Sequence, residues 1–72
     1  MTELIRIDHE YDDDGNEVED SYVVELNGAP ADEYGLSHDY FDSVEDAHSF
    51  AEDASEQTGV EITWACMKPA WA

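Results

Sequence analysis

The chain has 72 residues, 20 of them Asp or Glu, and only Arg6 and Lys68 oppose these, so its formal net charge is −18. That length limits it to one domain, and two cations exclude the neutralisation of a phosphate backbone that direct nucleic-acid binding requires. A small domain is well served by a net charge of roughly 2 to 8 in magnitude, and excess like charge destabilises the compact state, so the acidity points outside the chain, to a basic partner or a high-salt environment.

Residues 3–27 read as a β-hairpin. Leu4 to Tyr11 alternates, with Ile5, Ile7, His9 and Tyr11 on one face and Arg6, Asp8 and Glu10 on the other, which is the period of a half-buried strand. Val18, Tyr22, Val24 and Leu26 share a face of a second such run, interrupted by Asp20. Between the two lies Asp12-Asp13-Asp14-Gly15-Asn16-Glu17, where Asp14-Gly15 accepts the positive φ of a tight hairpin turn. Asn27-Gly28-Ala29-Pro30 predicts a second turn, because Pro30 has no N–H to give to a ladder. Tyr34, Leu36, His38 and Tyr40 then alternate with Glu33, Gly35, Ser37 and Asp39, a third strand over 33–40 that Gly35 weakens.

A helix is predicted over 43–58. Ser43-Val44-Glu45-Asp46 has the capping-box spacing. Val44, Ala47, Phe50, Ala51 and Ala54 lie three and four apart and form one apolar stripe. Gly59 stands where a left-handed C-terminal residue is expected. Acids in the first turn suit the helix dipole, whereas Glu56 near the end opposes it. Val60, Ile62, Trp64 and Cys66 alternate with Glu61, Thr63, Ala65 and Met67, a last strand over 60–67, followed by a tail over 68–72. The expected fold class is therefore α+β, a single domain over 1–72 ordered β-β-β-α-β, with a small antiparallel-type sheet and one helix packed on one face. With the helix as crossover, the last strand runs parallel to the third and lies beside the first. Hydrophobic residues make up 42% of the chain, and their regular spacing argues against a disordered acidic tail.

Catalysis finds little support. His9 and His38 fall on apolar strand faces and His48 at the border of the helix stripe. No pair has zinc-site spacing, and all three read as structural or surface histidines. Cys66 alternates with Ile62 and Trp64 and reads as core; a lone cysteine forms no intramolecular disulfide. Paired carboxylates are too common here to single out a general acid or base, which needs a setting that shifts its pKa. Glu10, Asp12, Asp14 and Gly15 match loop positions one, three, five and six of an EF-hand, but position twelve is Ser21 and the flanks read as strands. The expectation is no enzyme, no cofactor and no metal site. No apolar run approaches the ~18 residues of a membrane span. Met1-Thr2-Glu3-Leu4-Ile5-Arg6 lacks the basic and apolar regions of a signal peptide, so a cytoplasmic protein is expected.

Duplex DNA carries one charge per ~1.7 Å of axis, so the roughly 29 Å spanned by a domain of this size corresponds to roughly 17 phosphates. The net charge of −18 is close to that number. On the expected helix, Glu45, Glu52 and Glu56 run along one side, with Asp46 and Asp53 in a parallel row. The hairpin tip adds Asp12, Asp13, Asp14 and Glu17, then Glu19 and Asp20. These eleven acids are the candidate partner-binding residues. Such surfaces focus a negative field and speed encounter with a basic groove.

In its acidic turn Asp12-Asp13-Asp14-Gly15-Asn16-Glu17, its helix Ser43-Val44-Glu45-Asp46-Ala47-His48-Ser49-Phe50-Ala51-Glu52-Asp53, its length and its charge, the chain resembles the small acidic DNA-mimic inhibitors, phage-encoded proteins of the anti-CRISPR type. The resemblance implies an inhibitor that occupies the nucleic-acid-binding channel of a host protein or effector complex and acts in the host cytoplasm. Two other readings stand beside it. Trp64, Trp71, Tyr34, Tyr40 and Phe41 supply aromatic anchors for a small protein-binding module or a homodimer. Halophilic adaptation would keep an acidic domain solvated without any mimicry.

Overall fold

The computed structural model describes residues 3–66 and 68–71. Strands β1 (Leu4–Tyr11) and β2 (Glu17–Asn27) form the expected hairpin. Its register pairs Ile5 with Leu26 and Ile7 with Val24, and all four are buried on the same side of the sheet. The turn closes through backbone and side chain together. Asp12 N–H donates to Asn16 O and Gly15 N–H to Asp12 O, while Asp12 Oδ1 accepts from the N–H groups of Asp14 and Asn16, each at 3.0 Å. Gly15, at φ +84°, supplies the left-handed residue.

Below the turn the ladder is irregular. His9 pairs with Tyr22 and Tyr11 with Glu17, so Glu10 alone faces residues 18–21. Asp20 takes φ +57° inside this bulge, a conformation that Asp tolerates better than most residues. Ser21 Oγ–H donates to Glu10 Oε2 at 2.7 Å and ties the two strands there. The bulge breaks the expected Ile5-Ile7-His9-Tyr11 face: the Tyr11 hydroxyl reaches Asp8 Oδ1 at 3.3 Å, on the opposite side of β1 from Ile7.

The expected third strand over 33–40 is corrected in two ways. Ala29–Tyr34 forms a short helix, α1, with Pro30 in its first turn and Gly35 as its left-handed cap at φ +68°. Proline is well suited to a first helical turn, where its fixed φ is helical and no N–H is needed. Gly28 makes the entry to α1 a close approach, since a Cβ there would lie 2.8 Å from Glu3 Cγ. Strand β3 is confined to His38–Phe41 and pairs antiparallel with β2, Tyr22 opposite Phe41 and Val23 opposite Tyr40. Phe41 therefore packs on the core side, while His38 and Tyr40 share the other face with Val23 and Glu25.

Helix α2 (Val44–Thr58) follows the expected cap and stripe. Ser43 Oγ accepts from Asp46 N–H at 3.2 Å. Ala47, Ala51 and Ala54 are fully buried, and these small side chains let the helix lie close on Ile5, Ile7, Val24 and Leu26. Gly59 ends the helix in a left-handed conformation, its N–H bonded to Ser55 O. Strand β4 is shorter than the expected 60–67, covering Ile62–Trp64. It pairs parallel with β1, after which Ala65 N–H still donates to Ile7 O; Met67 lies outside the described residues. The sheet order is β3-β2-β1-β4, so the last strand lies beside the first and runs parallel to the third, as the crossover requires. The result is a mixed α+β domain, a four-stranded sheet with helices on one face, measuring 32 × 28 × 17 Å.

Candidate functional site

Every one of the 20 acids avoids the interior. Only Asp8, Glu10, Glu25 and Asp39 are half-buried, and the rest are exposed. A carboxylate is too costly to bury without a partner, and Arg6 satisfies just one, with Nη2 at 2.6 Å from both oxygens of Glu25. That hydrogen bond, helped by the attraction of the two charges, raises the Arg6 pKa above its ordinary value.

The densest group lies on α2. Burial of Ala47, Ala51 and Ala54 fixes the helix rotation, and at about 100° per residue this turns Glu45, Glu52 and Glu56 directly away from the sheet. Asp46 and Asp53 lie on the flank nearer β3. All five are exposed. Eleven residues separate the first from the last, about 16 Å of helix, so the strip averages roughly one carboxylate per 4 Å of axis, against one phosphate per ~3.4 Å of axis for one DNA strand. The acids fall in two clusters, Glu45-Asp46 and Glu52-Asp53-Glu56, about 9 Å apart. Two of the five are held in place. His48 Nδ1 lies 2.9 Å from Glu52 Oε1, and the Tyr34 hydroxyl donates to Asp53 Oδ2 at 3.1 Å. Burial, and then that bond to Asp53, raises the Tyr34 pKa. A shallow groove of about 620 Å³ beside the strip has Phe41 and Phe50 among its walls with Asp46 and Asp53.

The hairpin tip forms a second group. Asp12, Asp13, Asp14, Glu17, Glu19 and Asp20 are all exposed. They are not equivalent. Asp12 closes its own turn, and Glu17 Oε2 lies 3.3 Å from His9 Nε2. Glu19 and Asp20 project from the bulge. Because Phe41 at the end of β3 aligns with Tyr22, and Tyr22 with His9, α2 starts at the hairpin-tip end of the sheet. Exposed Asp42, just before the cap, adds to the acids at that end; its place next to the Ser43 cap is the signal that would have found it. The eleven expected acids thus form two groups, a helix strip and a hairpin tip.

Two features escaped sequence reasoning. The sheet face opposite the helices carries a groove of about 590 Å³ that includes Tyr11, Val23 and Tyr40 among its lining residues. Its assembly depends on the bulge and on the register of three strands. The helix-side edge carries an aromatic stack: the His48 ring lies 5.4 Å from Trp64, nearly parallel, and meets Trp71 edge-on at 5.3 Å. Cys66 is half-buried, and burial raises its thiol pKa. Among the described residues no group of three or more His, Cys, Asp or Glu is placed to hold a metal ion, and no helix is long and apolar enough to cross a membrane. No family model, curated protein or solved structure matches the chain.

Proposed function

We propose that the protein is an acidic mimic of a nucleic-acid strand, which occupies the basic nucleic-acid-binding surface of a host protein or phage-defence complex, such as a CRISPR effector, and blocks DNA binding. The observation that carries this reading is the α2 strip, five exposed carboxylates on one side of a single rigid helix. A lysine- or arginine-lined channel would meet there two clusters of anions, Glu45-Asp46 and Glu52-Asp53-Glu56, whose average density along the helix is close to that of the phosphates of one strand. Arginine is the stronger partner where both carboxylate oxygens are engaged. Binding weakens steeply with salt, as the displaced DNA's own binding does. The test is displacement: labelled DNA is released from a panel of basic complexes, CRISPR effectors among them, when the protein is added. Indifference across the panel contradicts the reading.

One observation favours a second reading, halophilic adaptation. Glu3, Asp32, Glu33 and Glu61 are exposed and lie outside both groups, and acidity spread in this way is what solvation in concentrated salt would select. This reading expects a chain that unfolds at low salt and displaces no DNA. The mimic reading expects a chain folded at ~0.1 M salt, where binding is still strong.

A further inference from the structure

The sheet face turned away from the helices differs chemically from the α2 strip. Register sets Asp8, Val23 and Tyr40 side by side across β1, β2 and β3. The bulge brings Tyr11 beside Asp8, and His38 meets the Tyr40 ring edge-on at 5.4 Å. Tyr11 and Tyr40 are 50% and 54% exposed, two of the three most exposed large hydrophobics among the described residues, and both line the same groove. Both helices pack on the opposite face of the sheet.

The chemistry of this groove selects its occupant. Val23 gives it an apolar element, the two tyrosines give it ring surfaces, and Asp8 and Glu10 give it negative charge. Arg6 already neutralises Glu25. An anionic ligand meets repulsion here, and a second copy of the chain brings −18 against −18. A wholly apolar side chain would strip water from Asp8 without replacing it. A long cationic side chain suits all three elements, its stem covering Val23 and its charge lying against the rings and near the carboxylates. Arginine suits them better than lysine, because its planar guanidinium stacks on rings and pairs with carboxylates. We propose that this groove receives an arginine side chain of a basic partner protein. The proposal rests on the reading of the chain as a binder of basic surfaces, and it adds a contact remote from α2.

The test is an NMR titration of the isotope-labelled full chain with an oligo-arginine peptide, compared with oligo-lysine of equal length. The expected result is amide shifts at Val23 and Tyr40, with oligo-arginine the tighter ligand. The double variant Y11A/Y40A should bind oligo-arginine about tenfold more weakly with an unchanged salt slope, and Y11F/Y40F should stay within about twofold of the parent. Both tyrosines are at the surface, and a thermal melt checks that the variants fold. Shifts confined to α2 and the hairpin tip overturn the proposal, as does parental affinity in Y11A/Y40A. A concentration-dependent dimer broken by Y40A assigns the face to a second copy and also overturns it. The variant E45Q/E52Q/E56Q separates the two readings. If it displaces DNA as well as the parent does, the mimic reading fails, while the groove shifts still decide the arginine site.

Discussion

Arg6 shows how little cationic charge this fold uses and where it matters. It is the sheet's sole cation among the described residues, it sits between β2 and β4, and it holds Glu25. Its side chain is 39% exposed and that of Glu25 35%, so solvent screens the pair. Replacing Arg6 with Gln should lower stability by about 1 kcal/mol, read from urea unfolding, with an unchanged midpoint contradicting the pair's role. Cys66 gives a pH-dependent prediction. Burial first, with Asp8 and Glu17 adding, raises its thiol pKa. The folded state therefore holds the thiol proton more tightly than the unfolded state. This contribution to stability is complete below the ordinary thiol value of about 8.5 and is lost as pH rises through the folded value. Tyr11 and Tyr34, raised chiefly by burial, act with the same sign above about pH 10. The unfolding midpoint should fall across this range, and Cys66 should be alkylated more slowly in the native than in the urea-unfolded chain. Equal alkylation rates would contradict the burial argument.

Among the elements, α2 was the most legible in the sequence, because three independent signals agreed: the Ser43 cap, the alanine stripe and Gly59. Each can be tested. Ser43→Ala should cost about 1 kcal/mol through loss of the Asp46 N–H acceptor. Ala51→Leu should cost about 1–3 kcal/mol, since a fully buried alanine leaves no room for three more carbons. Thermal unfolding of both variants checks the claim that α2 lies close on the sheet. The five acids of the strip were legible for the same reason: once the buried stripe is known, the opposite face follows. Helix α1 was not legible, because Pro30 is equally at home in a turn and in a first helical turn, and six residues are too few to show a helical period. The chance alternation of Tyr34, Leu36, His38 and Tyr40 then suggested a longer strand. The Tyr11–Tyr40 groove was hidden for a different reason. It exists only after Asp20 adopts its bulge conformation and β3 pairs in one particular register with β2.

At the scale of the molecule, 18 uncompensated charges sit on a body whose Cα radius of gyration is 11.8 Å. The Debye length is about 30 Å at 0.01 M salt and about 3 Å at 1 M, so acids on opposite sides of the molecule repel at the lower salt and cease to do so at the higher. The melting temperature should rise with salt under either reading of the acidity. What separates those readings is whether the position of the acids matters, or only their number. The most direct measurement compares DNA displacement from a basic complex by the parent and by two variants with the same loss of charge. One, E45Q/D46N/E52Q/E56Q, removes four of the five acids of the α2 strip and leaves Asp53, which Tyr34 holds; the other, E3Q/D32N/E33Q/E61Q, removes four acids outside both groups. The mimic account predicts that the strip variant loses at least about tenfold in potency while the dispersed variant stays within about twofold. Equal potency in the two variants, or no displacement by the parent, would contradict it.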